Sequence, residues 1–265
     1  MERERNGASD VGRDTSRDFG DEPAPAWRDH APDYLSPIDS GAPVSGHTPP
    51  PETASSIASA PENDWTAANG LIYPALRPVG TQGLSVEDLD SAALSEHASQ
   101  SHPQPLIDEG PVGLPVVYAL SAGAFDVIVN GDHLLSWGVA ATEVQDAAIR
   151  NLSAWSAQAP WTDEVSGERR ILSSDTGDGW DAARILLPTV RDHITQELGA
   201  TGRVLVGLPE RHLLIAGTLR PDDPEFAALF AEFVVEHSGG ADEPIDRRVF
   251  ELVNGNLTEF ALSPA

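Results

Sequence analysis

The strongest constraint on the fold comes from two pairs of apolar segments that are joined by very short turns. Val249–Val253 and Asn256–Phe260 flank Asn254-Gly255, a strong hairpin signal because both turn residues tolerate positive φ. Arg203–Leu208 and His212–Leu219 are separated by only three residues. Turns this short pair neighbouring segments antiparallel, so the second half of the chain is predicted to build its sheet from hairpins.

Three segments show helical patterns. Glu225–Glu236 is the clearest, because its apolar residues recur at the three- and four-residue spacing of one helix face. A helix is also predicted over Thr142–Trp155, since its first residue and Gln145 have the spacing of a capping box. Asp181–Leu198 is helical in pattern, and Pro188 is expected to kink or split it.

Weaker patterns complete the set of predicted elements. Pro115–Leu120 and Phe125–Val129 are interpreted as a further hairpin, and Arg170–Ser173 as a short strand. Prolines keep Gly70–Pro78 extended, and Ser85–Leu94 is expected to hold a short helix. Strands and helices alternate without repeated β-α-β crossovers. This predicts an α+β fold, a largely antiparallel sheet of hairpins with about three packed helices.

The first part of the chain differs from the rest in composition. Residues 1–64 are acidic and rich in Pro, Ser and Ala, and they contain few large apolar residues. Such a segment cannot bury enough surface to offset the entropy of ordering, so a disordered tail is predicted. Residues 65–265 are expected to form a single α+β domain, with a regular core over about 114–262.

The charge balance limits the classes of partner. The formal net charge is −26, and every basic residue except histidine is arginine, because the chain contains no lysine. Repulsion from phosphate groups argues against nucleic acid and against an anionic membrane surface as partners. Both a salt-adapted surface and the amino-acid usage of a GC-rich genome explain such acidity.

The missing residue types exclude several chemistries. Without cysteine there is no disulfide, thiol nucleophile or cysteine-bound metal, and without lysine there is no Schiff base or Walker-type phosphate loop. No cofactor and no metal ion are therefore expected. No apolar run follows the first residues and none is long enough to span a membrane, so a cytoplasmic location is expected.

Several short motifs, in the same order along the chain, resemble one family of proteins. They are Tyr73-Pro74, Arg77-Pro78, Val117-Tyr118, Leu135–Val139, Ala147–Leu152, Asp178–Leu186, Val206–Pro209 and Leu213–Ile215. This order, from about Leu71 to Phe260, resembles the YtpQ-like family of bacterial proteins, a domain family without an assigned activity. Members of that family usually carry more folded sequence ahead of the Tyr-Pro motif. The resemblance therefore implies a shape and candidate positions, and no reaction.

The segment 175–187 contains the best candidate site. Its acidic residues, glycines, tryptophan and arginine precede a helical pattern, where backbone N–H groups can bind an anion. Alternatively, Asp175 could join two further carboxylates of the segment around a hard cation. The candidate ligand-binding residues here are Asp178, Gly179, Trp180, Asp181 and Arg184.

A structural role explains the same segment and is favoured. In this interpretation Asp178 caps the helix and Asp181, three residues later, accepts from free helix amides. Asp181 and Arg184 pair on the surface, Trp180 packs, and Gly177 with Gly179 supplies the turn.

Three further residues are candidates for ligand binding. Asn151 lies beside the apolar face of its predicted helix, where its amide needs a partner, and holding a backbone segment is the favoured role. Arg211 and His212 lie at the turn between two buried strands. There they present an anion clamp and a general base to a pocket, or form a solvated turn.

Three functional hypotheses remain at this point. The leading one is a non-enzymatic cytoplasmic module that binds a partner protein or a small ligand. The alternative is a metal-assisted hydrolase that uses Asp175, Asp178 and Asp181 with His212. A third hypothesis is a secretion or toxin–immunity role, in which the acidic surface masks a basic partner. The sequence leaves open whether the protein is an enzyme and what its oligomeric state is.

Overall fold

The structure is a computed structural model that describes residues 60–89, 91–121 and 125–261. The predicted disordered tail lies outside the described residues as far as residue 59, and so do residues 122–124 of the predicted turn between two strands. The first described elements are a 3-10 turn at Pro61–Asn63 and a short helix, α1, at Trp65–Ala68.

The first half of the described chain forms a five-stranded sheet. Its strands are β1 (Ile72–Leu76), β2 (Leu84–Ser85), β3 (Leu106–Glu109), β4 (Pro115–Ser121) and β5 (Asp126–Ile128). The order is β1-β4-β3-β2, and β5 also pairs with β4. All pairs are antiparallel except β2 with β3. The predicted extended segment and the predicted hairpin therefore lie side by side in this sheet.

The second half forms a six-stranded antiparallel sheet in the order β11-β10-β8-β9-β7-β6. Its strands are β6 (Thr162–Ser166), β7 (Arg169–Ser174), β8 (Arg203–Glu210), β9 (Leu213–Leu219), β10 (Val249–Val253) and β11 (Asn256–Glu259). Both predicted hairpins are confirmed. Asn254 and Gly255 have φ values of 51° and 77°, as a tight hairpin turn requires.

Five more α-helices occur in the described residues. They are α2 (Ser91–Glu96), α3 (Gly131–Trp137), α4 (Ala141–Ser156), α5 (Pro188–Leu198) and α6 (Glu225–Gly240). The α+β class is confirmed, and the three predicted helices correspond to α4, α5 and α6. As predicted, Pro188 splits the third pattern, because it is the first residue of α5 and a 3-10 helix at Ala182–Leu186 precedes it.

Some local predictions are wrong. Ser85 ends a strand instead of starting a helix, and α2 begins only at Ser91. At the start of α4 the carboxylate of Glu143 accepts from the N–H of Ala140 at 2.9 Å. This is half of a capping box, because the alanine has no side-chain oxygen to accept in return, and the predicted Thr142 pair is not used. β3, β6 and α3 were not predicted. β6 is exposed along its whole length and so lacks the apolar alternation that identifies a strand.

The two sheets share one apolar core. α4 packs on β1, while α5 and the 3-10 helix at Ala182–Leu186 cover one face of the second sheet and meet residues of the first. The other face of the second sheet carries α6 alone among the described helices. α6 lies over β8, with β9 and β10 beside it. It buries Phe226, Phe230 and Val234 against that sheet.

Glycines in the second sheet let α6 approach closely. A Cβ built on Gly217 lies 2.7 Å from the ring of Phe226, and one built on Gly207 lies 2.5 Å from Val234. Real Cβ contacts do not reach such distances, so a larger residue at either position forces a neighbouring side chain, of α6 or of β9, to shift. The lateral position of the helix on the sheet depends on these two positions.

We predict that Gly217→Ala lowers the free energy of unfolding by about 1–3 kcal/mol, because the ring of Phe226 is packed in the helix–sheet layer and cannot move away freely. Gly239→Ala is the control, since its Cβ meets nothing within 4 Å in α6. The control is expected to be neutral or to gain up to about 1 kcal/mol. Urea unfolding followed by circular dichroism measures both. Equal stabilities of the two variants would contradict the close approach.

Candidate functional site

Two of the four charged residues of the segment 175–187 face the interior of the protein, whereas Asp175 and Asp178 are exposed. Asp181 and Arg184 have exposed fractions of 0% and 1%. Ser174 lies between them: its hydroxyl donates to Asp181 Oδ1 at 2.5 Å and accepts from Arg184 Nη1 at 2.6 Å. The carboxylate and the guanidinium are thus joined through one hydroxyl inside the core.

The guanidinium of Arg184 is almost completely satisfied by groups at the end of α4. Nε donates to Ser156 Oγ at 3.0 Å, and Nη2 to the Ser156 carbonyl at 3.2 Å. The carbonyls of Ala159 and Pro160 accept further bonds, and the guanidinium carbon lies 4.1 Å from the centre of the Trp161 ring. Burial lowers the pKa of Arg184 to about 10, an effect that Asp181 opposes, so the side chain stays charged at neutral pH.

The carboxylates of this segment do not act as the predicted helix caps. Asp181 precedes the 3-10 helix but accepts instead from the backbone N–H and the hydroxyl of Thr176, at 3.2 and 2.9 Å. Asp178 accepts from Trp155 Nε1 at 3.1 Å. The predicted surface pair of Asp181 with Arg184 is also wrong, since both are buried. The sequence spacing could not reveal that Ser174 and Thr176 offer closer donors.

Trp180 and Arg211 close the other side of the segment. Trp180 is buried and stacks on Tyr73, with ring centres 4.6 Å apart and planes at 16°. The guanidinium carbon of Arg211 lies 4.6 Å from the Trp180 ring centre, and its Nε donates to the carbonyl of Gly179 at 2.9 Å. Gly177 and Gly179 have positive φ, which confirms their predicted place in the turn.

Arg211 forms ion pairs within the protein and is not a solvated turn residue. It pairs with Asp126 of β5 and, at 3.0 Å, with Glu243 in the segment after α6. Arg77 reaches the same Glu243 at 3.2 Å. Burial alone raises the pKa of Glu243, but Arg211 and Arg77 outweigh it and hold that pKa below its usual value. These ion pairs connect the first sheet to the second.

The remaining candidates lie apart from this cluster. Asn151 Nδ2 donates to the carbonyls of Asn69 and Ile72, at 2.7 and 2.8 Å, and so holds the backbone ahead of β1. This is the role that the sequence favoured. His212 lines a shallow pocket with Glu210, His237 and Asp242, and its Nδ1 is buried without a hydrogen-bond partner in the structure.

The described residues include no group of three His, Asp or Glu that could hold a metal ion. Asp181 is buried and fully engaged, Asp178 binds Trp155, and Asp175 is exposed, so the three carboxylates do not converge. The hydrolase alternative needs such convergence with His212, and that histidine lines a different pocket from Asp178.

A groove lies on the face of the second sheet that carries α6. It has a volume of about 460 Å³ and runs between α6 and strands β6, β7 and β9. Its floor and walls are mainly apolar. The main contributors are Ile171, Leu213, Ile215, Leu229, Phe230 and Phe233. Volumes of this order and a largely apolar lining are typical of ligand sites.

Charged residues surround the apolar part of the groove. Glu164, Asp175 and Glu210 contribute carboxylates that form no ion pair with any residue in the described ranges. Arg169 is also at the rim, but Asp223 at 2.5 Å and Glu225 at 3.6 Å neutralise it. The groove is therefore apolar inside and negative at its edge.

The sequence contained one signal for this groove. The apolar stripe of α6 includes Leu229 and Phe233 besides the residues that contact the sheet. Leu229 is 43% exposed even though it belongs to that stripe. An apolar stripe that is wider than its contact with the sheet indicates a second contact surface. The helical pattern by itself could not distinguish such a surface from core packing.

These observations define an α+β protein with a closed internal polar cluster and an open apolar groove. The chain is similar to two UPF0354 proteins from two strains of Staphylococcus epidermidis, a name that states no activity. Each is 30% identical over 105 residues, which is 40% of this chain and 36% of the relative. The match thus spans little more than a third of the relatives' length.

Two other comparisons gave no match. No family model matches the chain. No solved structure matches it. Within the described residues, none of the helices has the length and apolar character needed to cross a membrane.

We predict that Arg184→Lys lowers the free energy of unfolding by about 2–4 kcal/mol, because lysine cannot reproduce the planar set of donors in a buried site. Arg150→Lys, on the exposed side of α4, is the matched control and is expected to change stability by less than about 0.5 kcal/mol. Denaturant titration of both variants measures the difference. A cost at Arg184 no larger than at Arg150 would contradict a structural role.

Proposed function

We propose that the chain is a non-enzymatic binding module whose groove between α6 and strands β6, β7 and β9 takes an apolar element of a ligand or a partner. The groove itself carries this proposal. Ile171, Leu229 and Phe233 are partly exposed and line a concave surface above buried apolar residues. Covering them releases water at a gain of about 25 cal/mol per Å² of apolar area.

The internal contacts of the titratable candidate residues support a binding function over a catalytic one. Asp181, Arg184 and Arg211 are all committed to internal hydrogen bonds or ion pairs. A catalytic acid or base must reach a substrate, and buried groups that are already satisfied serve stability instead. The groove, by contrast, offers shape and apolar area. Ser166, Ser173 and His237 line it, but among the described residues no hydrogen bond joins either hydroxyl to a base.

The extent, the fold family and the location of this module are part of the same proposal. We infer that residues 65–265 act as one domain of the YtpQ-like kind and that the similarity to UPF0354 proteins reflects a shared fold. We place the module in the cytoplasm. The net charge of −26 favours neither nucleic acid nor an anionic membrane as its partner.

Binding of Nile red, a neutral apolar dye, tests the proposal. We predict saturable binding with increased dye fluorescence, and at least about tenfold weaker binding by Leu229→Glu, because a carboxylate in the groove must lose its water. Val235→Glu is the matched control: Val235 is 47% exposed on the same helix but lies outside the groove. It should bind the dye like the unmodified protein.

Both variants change an exposed apolar residue to glutamate, so charge and helix propensity are matched between them. Circular dichroism checks that both remain folded. Equal loss of dye binding in the two variants, or no saturable binding by the unmodified protein, would overturn the groove as the binding site.

A further inference from the structure

The uncovered part of the second sheet has the width of one helix. Six strands at about 4.8 Å spacing extend over roughly 24 Å, whereas a helix with its side chains covers about 10 Å. α6 lies over β8 with β9 and β10 beside it. On this face, β7 and β6 are therefore left without a covering element among the described residues, and the groove occupies that space.

The exposed strip of sheet is suited to a helix. Ile171 and Ser173 of β7 and Glu164 and Ser166 of β6 line the groove and so point to the same side as α6. Ile171 and Ser173 are half-buried, and the two residues of β6 are exposed. The strip is thus apolar beside α6 and polar at the sheet edge. A helix that packs at the edge of a sheet meets such an environment, because one of its sides faces the core and the other faces water.

The residues of α6 that line the groove recur at helical spacing. Phe226, Leu229, Phe230, Phe233 and His237 line the groove at spacings of three, four and seven residues or more. At 1.5 Å per residue, this wall is about 16 Å long, the length of three helical turns. A partner helix presents its apolar residues at matching intervals when it docks into a groove.

We propose that the groove binds an amphipathic helix of a partner protein whose apolar stripe is flanked by arginine or lysine. This inference rests on the proposed function and adds the chemistry of the partner. Glu164, Asp175 and Glu210 supply the negative rim, and none of them forms an ion pair inside the described structure. Unpaired carboxylates beside an apolar surface favour a cationic occupant and repel an acidic one.

The same charges disfavour two other occupants. A second copy of this chain carries a formal net charge of −26 and would bring further carboxylates to the rim. The chain's own residues 1–59 also contain more acidic residues than arginines. Neither complements the rim as a basic helix does.

Fluorescence anisotropy with three labelled peptides of about 18 residues tests the proposal on the full-length chain. The first peptide has a leucine stripe flanked by arginines. The second replaces each arginine by glutamate. The third scrambles the first, so that its charge is kept and its stripe is lost. We expect the first peptide to bind at least about tenfold more tightly than either of the others, because only it satisfies both the groove and the rim.

Variants of the protein locate the binding. Leu229→Glu should weaken binding of the first peptide at least about tenfold, and Val235→Glu should leave it unchanged. The double change Glu164→Gln with Glu210→Gln should weaken it about three- to tenfold. Glu232→Gln with Asp192→Asn is the control of equal charge, at exposed positions outside the groove. It should have no such effect, since a general attraction to the acidic protein would respond equally to both double variants.

The outcomes separate this inference from the proposed function. If Nile red binds but none of the peptides does, the groove takes a small ligand and the helix proposal fails alone. If the basic and acidic stripe peptides bind equally, the charge argument fails. If sedimentation equilibrium shows a dimer of the protein and Leu229→Glu dissociates it, a second copy is the occupant of the groove. That result would overturn the inference. If the unmodified protein binds neither the dye nor any of the peptides, both proposals are overturned.

Discussion

The buried guanidinium of Arg184 is the interaction on which the arrangement of this protein depends most. A charge inside a protein is stable only when its donors are satisfied, and here the end of α4, the strand β7 and the carboxylate of Asp181 satisfy them through Ser156, Ser174 and nearby carbonyls. These groups come from separate parts of the chain. The guanidinium therefore fixes the segment 175–187 between the two sheets and leaves little freedom in how they meet.

The two faces of the second sheet differ because of this arrangement. On one face, the segment 175–187 and α5 fill the space toward the first sheet, and Trp180 and Arg211 close it. On the other face, α6 is the one covering helix in the described residues, and the glycines of β8 and β9 hold it close to the middle of the sheet. One helix cannot cover six strands, so a groove beside it follows from the geometry. Asp181, Arg184 and Arg211, which the sequence offered as candidate site residues, stabilise the closed face, whereas the open face is mainly apolar.

The sequence predicted those elements that depend on local rules. The Asn254-Gly255 turn, the stripe of α6 and the split at Pro188 each have a local physical cause, and all three are found. α3 was predictable as well, since Asn130 caps its start and Gly138 ends it in the left-handed conformation. β6 was not, because an exposed edge strand has no apolar pattern. The hydrogen bonds of Asp181 and Arg184 depend on Ser156 and Ser174, which only the tertiary fold brings to them. The groove depends on the lateral position of a helix, and no local pattern specifies this.

The proposed binding site lies on the open face of the second sheet, and the polar segment 175–187 is assigned a stabilising role. Hydrogen–deuterium exchange of the full-length chain, with and without the arginine-flanked amphipathic peptide, tests this most directly. We predict slower exchange in α6 and in β6 and β7, with unchanged exchange in residues 175–187. Protection confined to residues 175–187, with α6 and β7 unaffected, would contradict it.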